Sequence, residues 1–302
     1  MNKFDHYLIN DLKNIDGKKI IITGANSGIG YSIAKILLNK GAHIFLACRD
    51  KIKADEARNK LVKLHPKALV DILIYSQSSF KDIDNFYENI ITNVNDFDVI
   101  IFNAGIFRPK KYQTSIDGYP LTSGINFFYP LYLSDKLSEH YANSNKKRLF
   151  IYQGSIASFK SKYTDFAKCY LNGSMNLMRQ YNYSKLGVTN IFIYYTNKYQ
   201  NSNLSFSLSE PGIANTNIFK NYPQWFLKIA KLFLSIFCHC NDVSALSTCY
   251  LACNASQNGD YYRPKHFFGI KGYPKKSVLK KRYIFSSLIK ESLDDIKNRH
   301  KN

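Results

Sequence analysis

Nowhere in the 302 residues do about 18 apolar residues run without interruption, so a membrane-spanning helix is not expected. After Lys3 the N-terminus is polar and mixed in charge, without the apolar stretch of a secretory signal, and none is expected. Cysteine is sparse: Cys48, Cys169, Cys238, Cys240, Cys249 and Cys253 follow no disulfide framework for a chain this long. The Cys238-His239-Cys240 cluster, with Cys249 and Cys253, invites a zinc reading. Its spacings miss the paired-ligand motifs and its surroundings read as apolar helix, so buried free thiols in a reducing cytosol are expected, and no metal. Acidic residues are the scarcer charge, 22 against 42 basic ones, which leaves a net +20. That excess alone would suit nucleic acid or an anionic membrane surface. Lys and Asn are spread along the whole chain, however, and the nearest thing to a basic patch is Lys275, Lys276, Lys280, Lys281 and Arg282. No nucleic-acid-binding module or aromatic–basic motif is present. The charge therefore reads as surface bias with a weak affinity for anionic surfaces, and nucleic acid is not an expected partner.

What is present is a core-forming composition, 45% hydrophobic, arranged in alternating periods. Short β-branched runs at 19–23, 42–48, 68–75, 98–103, 148–153 and 203–209 predict strands. Helical patterns at 29–40, 51–64, 80–94, 118–142 and 176–199 lie between them. Strand–helix alternation at this spacing means βαβ units with right-handed crossovers, hence an α/β, Rossmann-type, doubly wound parallel sheet between two helical layers. No repeat and no long linker interrupts it. A single domain over 1–302 is expected, with a cofactor half at about 17–150, a catalytic and substrate half at about 151–275, and a basic C-terminal tail at about 275–302.

The first strand runs through Thr23-Gly24-Ala25-Asn26-Ser27-Gly28-Ile29-Gly30 directly into a helix. A glycine-rich turn at a helix N-terminus lets the backbone approach a pyrophosphate, which the free amides and the helix dipole then hold. Gly24 would permit the tight turn, Gly28 the close approach and Gly30 the packing of helix on sheet. The second strand ends in Cys48-Arg49-Asp50. An acidic residue there would favour NAD(H) through the ribose 2′-hydroxyl, whereas a guanidinium suits a 2′-phosphate. With Cys48 at the strand end and Arg49 beside it, NADP(H) is favoured over NAD(H), and Asp50 keeps NAD(H) open.

These stretches, taken in order, resemble the short-chain dehydrogenase/reductase family. Thr23 to Gly30 looks like its TGxxxGxG signature, and Leu46-Ala47-Cys48-Arg49-Asp50 is similar to its retinol-dehydrogenase-like branch. Asn103-Ala104-Gly105 resembles the family's NNAG, with Phe102 in place of the first asparagine. Asn126 falls where the helix-borne catalytic asparagine would be, Ser155 matches the catalytic serine, and Tyr181 and Lys185 match YxxxK. Pro211-Gly212 with Thr216 resembles PGxxxT at the nicotinamide end. Tyr-x-x-x-Lys also occurs at Tyr31/Lys35, Tyr132/Lys136, Tyr194/Lys198 and Tyr261/Lys265, but only Tyr181/Lys185 follows the serine and opens a long helix.

The resemblance implies an oxidoreductase acting on CH–OH donors. Asn26, Ser27 and Ile29 join the glycines at the cofactor, Tyr181 is the acid/base, and Ser155 holds the substrate oxygen. A free tyrosine is too weak an acid to serve alone, and a neighbouring Lys185 ammonium would lower its pKa. Asn126 would support a water-linked proton path behind Lys185. The acidic adenine-side residue usual after the third strand is replaced by Ser76, which leaves a catalytically inactive nucleotide sensor or scaffold as the alternative. The long segment between Ser155 and Tyr181 carries Phe159, Tyr163, Phe166, Tyr170 and Met175, and a hydrophobic small-molecule substrate is expected beneath it. The stretch from Trp225 to His239 reads as a largely apolar helix, a substrate lid or a peripheral membrane contact. Location in the cytoplasm is expected, with membrane association and homo-oligomerisation left open.

Overall fold

A computed structural model describes residues 2–94, 96–107, 109–212, 240–254 and 257–300. Its strands are β1 (Lys19–Thr23), β2 (His43–Cys48), β3 (Val70–Ile74), β4 (Val99–Phe102), β5 (Arg148–Gln153), β6 (Leu204–Ser209), β7 (Tyr261–His266) and β8 (Lys271–Lys276). They form one sheet in the order β3-β2-β1-β4-β5-β6-β7-β8, parallel except for β8, which runs antiparallel to β7. The described helices are α1 (Lys3–Asn10), α2 (Gly28–Leu38), α3 (Lys51–Leu64), α4 (Phe80–Asn89), α5 (Leu121–Ser123), α6 (Tyr129–Tyr141), α7 (Leu177–Lys198), α8 (Asn241–Cys253) and α9 (Ser286–His300).

The isoleucine run of β1 shows why these strands read as continuous apolar stretches. Ile20 and Ile22 enter an aliphatic cluster shared with α2, α3 and α8, while Ile21 enters an aromatic-rich cluster on the other face. All three are fully buried. The second cluster is closed by α4, α6, α7 and, beyond the expected elements, α9. Because β1 lies between β2 and β4, the connections leaving β1 and β4 go to opposite faces and open a crevice at the strands' C-terminal ends.

The stretch expected as a basic tail is instead built into the domain. Lys271–Lys276 forms the outer strand β8, and α9 buries Leu288, Ile289 and Ile296 almost completely. Around α9, the Tyr119 hydroxyl donates to Asp295 at 2.7 Å and Arg299 Nη1 donates to the Asp117 carbonyl at 3.0 Å. The lysines of this stretch thus decorate folded elements rather than a free chain end. Among the described residues no helix is long and apolar enough to cross a membrane.

Candidate active site

The crevice is a cleft of about 460 Å³, within the size range of ligand sites, and it runs from the β2–α3 junction to the start of α7. Its floor is the turn after β1. Gly24 (φ +69°) and Gly28 (φ +57°) adopt left-handed backbone that a side chain would strain. A Cβ on Gly30 would lie 2.5 Å from both the Gly24 carbonyl and Asn103 Nδ2, so only glycine lets α2 start here. Ser27 is the N-cap of α2 but its hydroxyl makes no capping bond, which leaves the first-turn amides to an anion in the cleft. The turn is locked from below. Thr23 Oγ1 donates to Ile101 O (3.2 Å) and accepts from the amides of Asn103 (3.0 Å) and Ala104 (2.9 Å). Asn103 Nδ2 donates to Thr23 O at 2.8 Å. Asn26, Ser27, Ile29, Ala104 and Gly105 all line the cleft beside these glycines.

At the β2 end stand Arg49 and Asp50, both lining the cleft. Asp50 caps α3, accepting from Lys53 N at 3.1 Å, and pairs with Lys53 Nζ at 2.9 Å. These bonds from Lys53 hold its carboxyl below the usual range. Cys48 is buried, and burial pushes its thiol up to about 11. Arg49 is exposed, lines the cleft and forms no ion pair among the described residues. Lys53, in the first turn of α3, also lines it. On the adenine side, the Ser76 hydroxyl sits 2.9 Å from Ser78 Oγ, and the wall is made by Tyr75, Gln77 and Ser78. Phe102 turns into the core and stacks on Tyr152, rings 4.9 Å apart.

Ser155, Tyr181 and Lys185 meet at the other end of the cleft. Ser155 caps the short 3₁₀ turn Ile156–Lys160, its Oγ accepting from Ala157 N at 3.2 Å, and its hydroxyl stands near enough to the Tyr181 phenol to influence its proton affinity. Phe107 meets the Tyr181 ring edge-on at 4.8 Å. Lys185 Nζ donates to the Gln153 carbonyl at 3.0 Å, and burial brings its ammonium down to about 8. Burial raises Tyr181, and the Ser155 hydroxyl is what opposes that rise. The expected lowering by the Lys185 ammonium is not what this geometry gives, because Nζ is turned onto the β5 backbone.

Asn126 lies in a π-helical turn, Gly124–Phe128, inserted between α5 and α6. Its amide is fully committed: Oδ1 accepts from Ile106 N and Nδ2 donates to Ile106 O, both at 2.8 Å, and Nδ2 reaches Ser184 Oγ at 3.0 Å. Asn126 therefore fastens the loop after β4 to α7. Gly105 is glycine for the same reason, since a Cβ there would lie 2.9 Å from Asn126 Oδ1.

Pro211 and Gly212 line the cleft after β6. Gly212 has φ +73°, and a Cβ on it would lie 2.3 Å from Ile270 O. Thr216 and the stretch from Trp225 to His239, with Cys238, lie outside the described residues. The aromatics expected over the substrate face elsewhere. Phe159 packs on Tyr283, Tyr163 on Phe285, and Phe166 on Tyr170, which is itself buried. They tie this segment to the C-terminal elements and to the core, and neither they nor Met175 line the cleft. Ile106 and Phe107 are among the apolar residues that line the cleft, Phe107 against the Tyr181 ring. Gln153 is a residue that sequence reading passed over. Its side chain accepts from Ser209 Oγ at 2.7 Å and donates to Asn103 Oδ1 at 3.3 Å, while its carbonyl holds Lys185.

A family model described as short chain dehydrogenase matches residues 18–226. Human retinol dehydrogenase 14 is 28% identical over 217 residues, 67% of this chain and 63% of that protein. Mouse retinol dehydrogenase 13 is 29% identical over 68% of this chain and 60% of its own length. The match thus spans less than two thirds of these curated relatives. Among solved structures, an uncharacterised protein of Mycobacterium paratuberculosis aligns at TM-score 0.73 and 21% identity, covering 97% of this chain and 96% of its own. The NADPH-dependent 3-quinuclidinone reductase of Rhodotorula rubra aligns at TM-score 0.63 and 20% identity, over 82% and 88%. At these identities the structural likeness speaks for the fold.

Proposed function

This chain belongs to the short chain dehydrogenase family, and on that premise we propose that it is an NADP(H)-dependent oxidoreductase interconverting an aldehyde or ketone and its alcohol on a hydrophobic small molecule. The observation that carries the reading is one cleft with Ser155, Tyr181 and Lys185 at one end and, at the other, Arg49, which forms no ion pair among the described residues. The amides of the α2 first turn suit a pyrophosphate, and the Arg49 guanidinium suits a 2′-phosphate, while Asp50 caps α3 and pairs with Lys53. When bound, a reduced nicotinamide supplies the hydride. Ser155 and Tyr181 then address the substrate oxygen together, Ser155 donating a hydrogen bond and Tyr181 the proton. Lys185, anchored on Gln153 O, places positive charge behind the tyrosine.

Two observations support an apolar substrate: the Ile106 and Phe107 wall beside Tyr181, and the names of the retinol dehydrogenases, whose alcohol is apolar. A reducing cytosol favours the reductive direction and is where we place the protein.

The test is turnover of NADPH with a panel of apolar aldehydes and ketones by wild type and Tyr181→Phe. Wild type should turn over at least one of them. The variant should keep NADPH affinity and lose roughly 10²- to 10⁴-fold in rate. A wild-type protein that binds no NADPH, or a Tyr181→Phe variant as fast as wild type, contradicts the reading.

A further inference from the structure

Directly after β6, Glu210 carries a carboxyl that the chemistry above does not use. It is fully buried, and neither of its oxygens has a hydrogen-bond partner among the described residues. Such a group is costly as an anion, since nothing replaces the water it has lost. Its position makes it consequential. Its backbone amide donates to Tyr262 O at 2.9 Å, joining β6 to β7. On one side it packs on the residue before Ser155, where a Cβ on Gly154 would lie 3.4 Å from its Cγ. On the other it packs under the β7–β8 hairpin, where a Cβ on Gly269 would lie 3.6 Å from Oε2. The next hairpin residue, Ile270, presses its carbonyl on Gly212, which lines the cleft.

Among the described residues, the charged and titratable groups that act on Glu210 are Tyr261 and Arg263, both from β7. On the side of β5 and of the hairpin it lies against Gly154 and Gly269, which carry no titratable group. Among the described residues the Tyr261 hydroxyl has no hydrogen-bond partner, and Arg263 Nε donates to Ser277 Oγ at 3.1 Å. Burial pushes the Glu210 carboxyl up to about 7, with Tyr261 and Arg263 opposing the rise only in part.

We propose that Glu210 is a positioning residue for the nicotinamide end of the cleft that works as the neutral acid: its ionisation forces β6 and the β7–β8 hairpin apart, displaces Pro211-Gly212 and weakens dinucleotide binding. The last step rests on the dinucleotide-binding reading above. The sign follows from the chemistry. A carboxyl whose proton affinity is raised in the packed arrangement favours that arrangement at low pH and opposes it as pH rises through about 7.

Two measurements on the full chain separate the parts. NADPH and NADH dissociation constants are measured by calorimetry from about pH 6 to about pH 9 for wild type, Glu210→Gln and Arg263→Ala. The ratio of wild type to Glu210→Gln cancels the titration of the 2′-phosphate and of Lys185. It should rise at least about fivefold across this range, the low end of ordinary coupling between sites. In Arg263→Ala, which lacks the nearby cation, the rise should move to higher pH. A flat ratio overturns the proposal. Without nucleotide, amide exchange of 267–272, relative to Glu210→Gln, should lose protection over the same range. Unchanged protection also overturns it. Lost protection in a protein that binds neither nucleotide at any pH would uphold Glu210's control of the hairpin and overturn the dinucleotide reading instead.

Discussion

Tyr181 and Lys185 stand one turn apart on α7, and burial moves their proton affinities in opposite directions. Tyr181 goes up and Lys185 comes down to about 8, so the ammonium is lost before the phenol ionises. Reduction needs the phenol protonated, which holds across the neutral range, and is helped by the cation behind it. For carbonyl reduction, kcat/KM should therefore be level below about pH 8 and fall above it as Lys185 loses its proton. A pH profile of wild type checks this, with Lys185→Met expected to abolish the fall along with most of the rate. A reduction rate that climbs above pH 8 would count against it. That Ser155, Tyr181 and Lys185 line one cleft was legible at this scale, because their order along the chain is specific. Their electrostatics were not, because the Lys185–Gln153 contact at 3.0 Å joins residues 32 positions apart and depends on how deep the site lies.

Among the elements, strands buried on both faces announced themselves. The predicted 19–23 and 148–153 coincide with β1 and β5, since a parallel strand under helices on both sides must be apolar almost throughout. The outer strands β7 and β8 carry Pro264, Pro274 and several lysines, the composition by which an edge discourages pairing, and so resemble loop in sequence. The same bias hid α9, whose apolar positions 288, 289, 293 and 296 follow helical spacing within a basic stretch. Its burial makes a measurable claim. Leu288→Ala should cost roughly 2–5 kcal/mol in chemical unfolding. Val278→Ala, at a side chain 89% exposed, should change stability by no more than about 0.5 kcal/mol. Equal, small effects at both positions would mean that 286–300 is not part of the folded core.

For the whole molecule, the sheet order sets what the cleft can be. Crossing from β1 to β4 places the glycine turn, the β2 end and the Ser155–Tyr181 pair along one crevice, an arrangement long enough to read both ends of a dinucleotide. Sequence reading reached this architecture through strand–helix alternation. It could not foresee that Asp50 would cap α3 and pair with Lys53, because capping depends on where α3 begins. That pairing leaves Arg49 as the cleft-lining cation beside it with no ion pair among the described residues, and on it the proposed preference for NADP(H) rests. The most direct measurement is thus the affinity of the purified protein for NADPH and NADH, with Arg49→Ala in parallel. Wild type should bind NADPH at least about tenfold more tightly, roughly 1.4 kcal/mol, and Arg49→Ala should bring NADPH close to NADH. Equal affinities in wild type, or a preference for NADH, would contradict the account.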